Sequence, residues 1–167
     1  SAAAIFQKDV KRLLAYSSIG QIGYIILGIS LATTTGVAAG LLHVFNHALI
    51  KGGLFMAMGC FALRLPSLNV DDLQGMGRRM PWTSFAWVLG GLGLIGVPVT
   101  AGFVSKWYLV KATLEIHHVV TAALVLLGSL LAVVYVWRVV ELLYFREPKT
   151  SSSGTTEAPL WMLVPTY

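Results

Sequence analysis

HVFNHALIKGG, residues 43–53, places two histidines and a lysine in a run that otherwise reads as hydrocarbon. His43, His47 and Lys51 recur at every fourth position. In a helix each such step turns about 40° beyond a full revolution and climbs about 6 Å, so the three groups fall on one stripe. Whether that stripe lies in water or in lipid decides the fold.

Composition answers for lipid. The chain is 56% hydrophobic and 11% charged, with mean hydropathy +0.76. A soluble domain carries about 25% charged residues, so this chain lacks the polar surface to cover itself in water. The net charge of +5 does not indicate nucleic acid as a partner, because the basic residues flank apolar runs instead of forming a patch. Cys60 is the single cysteine, so no intrachain disulfide exists. Ser1 at the start, and the apolar run APLWMLVPTY (158–167) at the end, read as a piece of a longer protein. QKDVKR (7–12) is not a signal-peptide start, since the run behind it is too long and further spans follow.

Apolar stretches at 13–31, 37–63, 82–111 and 119–145 each reach the roughly 20 helical residues needed to cross about 30 Å of hydrocarbon. Backbone groups in lipid must bond internally, which favours helices, and nothing alternates with the period of two that barrel strands require. The expected fold is all-α: a polytopic transmembrane helix bundle with one discontinuous helix. Residues 146–158 read as a polar cytoplasmic linker and 159–167 as the start of a truncated further helix. Lys8, Lys11, Arg12, Arg64, Arg78, Arg79, Arg146 and Lys149 collect on one side of these spans. The other side has Lys111, beside Glu115, His117 and His118. The positive-inside rule then puts residue 1 on the cytoplasmic side of the cell's inner (plasma) membrane.

Lys51 sits near the middle of its span, where a charge costs about 2.5–3.5 kcal/mol on the mildest scale, so it is expected to face water or a partner. Lysine sheds its proton when desolvated and histidine titrates near neutrality, so a wet column of such groups can pass protons. The plainer alternative is a set of buried histidines satisfied by carbonyls. No metal site is expected, because no acidic or thiol ligand accompanies His43 and His47.

The third span is interrupted. In GLGLIGVPVTAGFVSKWYLVK (91–111), Pro98 removes a backbone donor while Gly96 and Gly102 loosen the helix on either side. Two half-helices joined around 97–101 are expected, with Lys106 about two turns beyond the break; a simple proline kink with a snorkelling lysine is the alternative. Thr100 and Ser105 are candidates to rebind freed backbone groups or to hold water. Arg138 and Glu141, at i and i+3, are expected to form an ion pair near the cytoplasmic face.

QKDVKRLLAYSSIGQIGYIILG (7–28), HVFNHALIKGGLFMAMGC (43–60) and LQGMGRRMPWTSFAWVLGGLGLIGVPVTAGFVSKWYLV (73–110) together resemble the C-terminal half of the proton-antiporter membrane subunit family. That family is shared by Mrp-type multi-subunit Na⁺/H⁺ antiporters, complex I membrane arms and membrane-bound hydrogenases. Within it the likeness is to Mrp D-type subunits.

The resemblance implies that Lys51, His43 and His47 belong to a hydrated polar axis. Lys106 would be the broken-helix lysine that hands protons between that axis and an outer half-channel. It also implies partners: other membrane subunits of a hetero-oligomeric complex, the missing N-terminal half of the same subunit, the lipid bilayer, protons and Na⁺. The first expectation for function is proton conduction within a monovalent cation (Na⁺)/H⁺ antiporter complex. The alternatives are a proton-pumping membrane-arm subunit of an NADH:quinone oxidoreductase or membrane-bound hydrogenase, and a non-conducting helix-bundle scaffold. The chain is expected to be a transport subunit, not an enzyme. It has no Cys-rich cluster motif, no GxGxxG and no flavin or haem signature, so no cofactor is expected.

Overall fold

The computed structural model describes residues 2–147 and 157–159; much of the expected linker, and all of the expected terminal helix but residue 159, lie outside the described residues. The regular elements among the described residues are helices, as the composition requires. They form α1 (Ala2–Ile5), α2 (Val10–Ser30), α3 (Thr34–Ala62), α4 (Met76–Arg79), α5 (Pro81–Ile95), α6 (Ala101–Glu115) and α7 (Val119–Phe145), with a 3₁₀ turn at Val70–Leu73. Among the described residues, strand-like pairing is limited to one isolated bridge, Asp9 to Asn69, which ties the start of α2 to the connection after α3. By length and composition, α2, α3 and α7 are each able to cross a membrane.

The helix limits follow from caps that an apolar window does not register. Asp9 accepts a bond from the Arg12 amide at 3.1 Å, so α2 starts three residues before its hydrocarbon run. Thr33 does the same for α3 through the Gly36 amide, at 3.0 Å.

The interruption after α5 is built from several elements at once. Gly96 adopts φ +84° and ends α5, a left-handed cap that glycine takes without a Cβ penalty. Thr100 caps α6, accepting from the Phe103 amide at 3.4 Å while its own hydroxyl donates to Val97 O at 2.7 Å. Val99 between them is held at φ +80°, a conformation that costs a β-branched residue about 1–3 kcal/mol. Each half-helix has 15 residues, a rise of about 22 Å, which falls short of the about 30 Å of hydrocarbon.

Contacts show how the elements run. Leu14 and Ser17 meet Lys51, Gln21 meets His43, and Gly28 meets Gly36 and Gly40. Partners fall along α3 as they rise along α2, so the two helices are antiparallel. They approach closely at the glycines. A Cβ on Gly28 would lie 2.8 Å from Gly36 O, and one on Gly36 would lie 2.7 Å from Gly28 O, which is the use of small residues expected where lipid gives no hydrophobic drive. Asn46 with Ala101, and His43 with Ser105, set α6 against α3 in the same opposed sense.

Two apolar clusters are buried. The larger gathers Leu13, Leu54, Phe61, Leu73, Met80, Trp87 and Tyr135; the smaller holds Tyr24, Ala39, Leu109 and Val125. Along α3 the buried positions pass from Ala39 through His43, Asn46 and Lys51 to Leu54. A polar layer therefore separates the two clusters, and large apolar side chains such as Ile26, Phe45, Leu130 and Trp107 point outward around it.

Candidate functional site

The polar layer begins on α2. Leu14, Ser17, Gln21, Tyr24 and Gly28 are all buried, and their spacing of three and four places them on one face. Ser17 is 0% and Gln21 2% exposed. Lys51, reaching across from α3, donates from Nζ to Leu14 O at 2.7 Å and to the Ser17 hydroxyl. The Ser17 and Ser18 hydroxyls also donate to Leu14 O, at 2.8 and 3.1 Å.

His43 lies about two helical turns from Lys51 along α3. Its Nε2 is 3.0 Å from Gln21 Oε1 and its Nδ1 is 2.8 Å from Ser105 Oγ. The rings of His43 and half-buried His47 stack at 6.2 Å with 12° between planes. The Tyr24 ring meets His43 edge-on at 5.7 Å, and the Tyr24 hydroxyl donates to Val125 O at 3.2 Å. Asn46 Nδ2 donates to Ala101 O at 2.8 Å, which fixes the α6 side of the break against α3.

Lys106 completes the layer. Its Nζ donates to Leu94 O at 2.8 Å and Ile95 O at 2.9 Å, the last carbonyls of α5, and it stands 5.3 Å from the centre of the Tyr24 ring. Such carbonyls have no partner within their own helix, and a cation there also meets the negative end of the helix dipole. Gly102 is required for the approach, since a Cβ on it would overlap Gly93 O. Lys51 and Lys106 are 7% and 5% exposed. Among the described residues, neither lysine has a carboxylate within ion-pair distance. Both amines are therefore held by neutral acceptors, which support a charge without fixing it.

One pairing expected from the sequence is corrected. Arg138 does not pair with Glu141. Its Nη1 donates to Ile5 O at 2.8 Å and Gln7 O at 3.2 Å, at and just beyond the end of α1, while Glu141 accepts from Arg146 at 3.1 Å. The arginine turns inward to these carbonyls and leaves the carboxylate to a neighbour at the exposed helix end. Thr100 and Ser105 sit at and beside the break, as capping and histidine-bonding groups respectively. Residues that the sequence reading passed over are Gln21, Tyr24 and Asn46. The regular spacing of Ser17, Gln21 and Tyr24 was the available signal, hidden because none of the three is ionised near neutrality.

The family described as NADH:quinone oxidoreductase/Mrp antiporter, TM, matches residues 1–132. NADH-quinone oxidoreductase subunit N of Desulforudis audaxviator (strain MP104C) is 44% identical over 146 residues, covering 87% of this chain and 29% of the relative. Among solved structures, a chain of the membrane-bound sulfane sulfur reductase, an archaeal respiratory membrane complex, matches with TM-score 0.92 at 33% identity. That match covers 99% of this chain and 27% of the other. A chain of the Mrp complex from Dietzia sp. DQ12-45-1b matches with TM-score 0.83 at 26% identity, covering 93% of this chain and 32% of the other. This chain thus spans under a third of the length of each of these relatives. With the family match running through the polar layer and the broken helix alike, the chain belongs to the NADH:quinone oxidoreductase/Mrp antiporter transmembrane family.

Proposed function

We propose that this chain is the part of a proton-translocating membrane-arm subunit that carries its buried lysine relay, and that the subunit works in a redox-driven complex. The single observation that carries the relay is the placement of Lys51 and Lys106. Both amines are buried in the layer between the apolar clusters, on different helices, and bonded to carbonyl and hydroxyl oxygens. An amine so held gains and loses a proton without breaking an ion pair. His43 and His47 extend the line along α3, and the break after α5 admits Lys106 to it. Two buried ammonium groups in one layer disfavour each other's charge, so the lysines would be protonated alternately.

Redox drive is favoured over free-standing Na⁺/H⁺ antiport by the comparisons. The relatives at 44% and 33% identity are named for a quinone oxidoreductase and a respiratory reductase, against 26% for the Mrp chain. The energy would come from electron transfer in partner subunits. In this reading the chain lies in the plasma membrane with the Lys8, Arg64 and Arg78 side toward the cytoplasm. The likeness to the Mrp chain supports antiport as the second reading.

The test is to tag the full-length subunit, isolate its complex and reconstitute it. Co-purifying flavin or iron–sulfur subunits, with acidification driven by an electron donor and independent of Na⁺, is the expected result. A complex of small membrane subunits alone, moving protons only against a Na⁺ gradient, would overturn redox drive in favour of antiport.

A further inference from the structure

We infer that Gln21 sets the tautomer of His43, so that the ring offers a bare Nδ1 to the Ser105 hydroxyl, and that this hydroxyl has two settings that follow the ring's protonation. All three side chains are sealed from solvent, with Gln21 at 2%, His43 at 4% and Ser105 at 0% exposure. Their hydrogen bonds therefore close on one another and on neighbouring backbone.

The closure fixes the protons. Gln21 Oε1, 3.0 Å from Nε2, is an acceptor only, so Nε2 carries a hydrogen and donates it. In a neutral ring Nδ1 is then a lone pair, and Ser105 Oγ at 2.8 Å donates to it. The same hydroxyl also lies 3.2 Å from Gly102 O. It has one proton and two acceptors, so it serves one at a time.

A proton placed on Nδ1 reverses the bond. Both ring nitrogens then donate, Ser105 Oγ becomes an acceptor, and its own hydrogen turns to Gly102 O. No covalent bond other than the new N–H changes. Gly102 is where α6 crosses Gly93 of α5, and Lys106 follows Ser105 directly. The state of His43 is thereby read out at the break that holds Lys106. Gln21 is a positioning residue in this scheme, acting through the histidine. Its effect on proton movement rests on the relay proposed above; its effect on the tautomer does not.

The experiment is nitrogen-15 solid-state NMR on the intact complex, labelled at histidine. His43 is assigned by the signals that vanish in His43→Gln, and proton translocation is measured on the same preparations at equal amounts of assembled complex. The expected result is a neutral His43 protonated on Nε2 in the parent. In Gln21→Leu an Nδ1–H population appears and translocation falls several-fold. Ser105→Ala leaves the tautomer on Nε2 yet lowers translocation several-fold, and Ser105→Thr, which keeps the hydroxyl, restores it. A parent ring carrying its hydrogen on Nδ1 overturns the inference, because the amide is then turned round. So does a tautomer that Gln21→Leu leaves unchanged. The parent spectrum decides the matter even where a variant fails to assemble. A tautomer that responds as stated, with translocation unaffected throughout, upholds the role of Gln21 and removes His43 from the proton path.

Discussion

Lys106 is carried by α6 but closes the end of α5: its Nζ lies 2.8 Å from the carbonyl oxygen of Leu94 and 2.9 Å from that of Ile95. The break in the helix and the buried amine are thus one device. Gly96 and Thr100 turn the chain, which exposes carbonyls that a continuous helix would have used, and the lysine from the next half-helix takes them. A charge that lipid would penalise is placed where the backbone offers it acceptors.

Lys51 is held in a comparable way by α2, so its removal separates transport from architecture. Lys51→Met leaves Leu14 O with the Ser17 and Ser18 hydroxyls. The full-length subunit is expected to assemble at normal yield while translocation falls roughly 10²-fold, the range for loss of a positioned proton-transfer group. Disturbed assembly with normal flux per complex would instead support a scaffold role for the lysine.

Close helix approach makes two glycines sensitive. A Cβ on Gly28 meets Gly36 O at 2.8 Å, and one on Gly102 overlaps Gly93 O. Gly28→Ala and Gly102→Ala are each expected to destabilise the assembled complex by about 1–3 kcal/mol, seen as a lower midpoint in thermal denaturation in detergent. A midpoint unchanged in both would contradict the packing.

Arg138 anchors the first residues of the chain by donating to Ile5 O and Gln7 O. Arg138→Ala is expected to release that segment at a cost of about 1.5–3 kcal/mol for bonds to a charged donor. Amide hydrogen exchange across residues 2–9 should rise, whereas Glu141→Ala should leave it unaltered. Equal exchange in the two variants would return Arg138 to a pairing with Glu141.

Glu157 caps α5 from far along the sequence. Its carboxylate accepts from the Trp82 amide at 3.0 Å and the Thr83 hydroxyl at 2.5 Å, while its backbone carbonyl accepts from Arg64 at 3.1 Å. Glu157→Ala is expected to cost about 0.5–2 kcal/mol, as loss of a helix N-cap does, with Glu157→Gln intermediate. A denaturation midpoint equal to the parent's in both variants would contradict the cap.

Much of this was legible in the residues themselves. Hydrocarbon runs gave the helices, Gly96 and Pro98 gave the interruption, and the recurrence of His43, His47 and Lys51 gave a shared stripe. What stayed hidden was partnership between helices. Spacing within α7 pairs Arg138 with Glu141, but only the fold reveals the carbonyls of Ile5 and Gln7 that compete for the arginine. Nothing in the sequence singles out Gln21 or Asn46, and only antiparallel packing brings them to His43 and to the start of α6. Glycines in α2 also look alike in the sequence, yet a Cβ on Gly23 would meet nothing within 4 Å inside this chain, whereas one on Gly28 would meet Gly36 and Gly40. Helix ends shifted for a related reason, since Asp9 and Thr33 cap through polar atoms that a hydropathy window counts against a span.

The most direct test of the relay is Lys106→Arg in the full-length subunit, within its complex, in sealed vesicles. Arginine keeps a donor for the Leu94 and Ile95 carbonyls but does not release its proton. The account predicts an assembled, stable complex whose partner subunits still transfer electrons and whose proton translocation through this subunit is abolished. Undiminished proton translocation by that variant would contradict it.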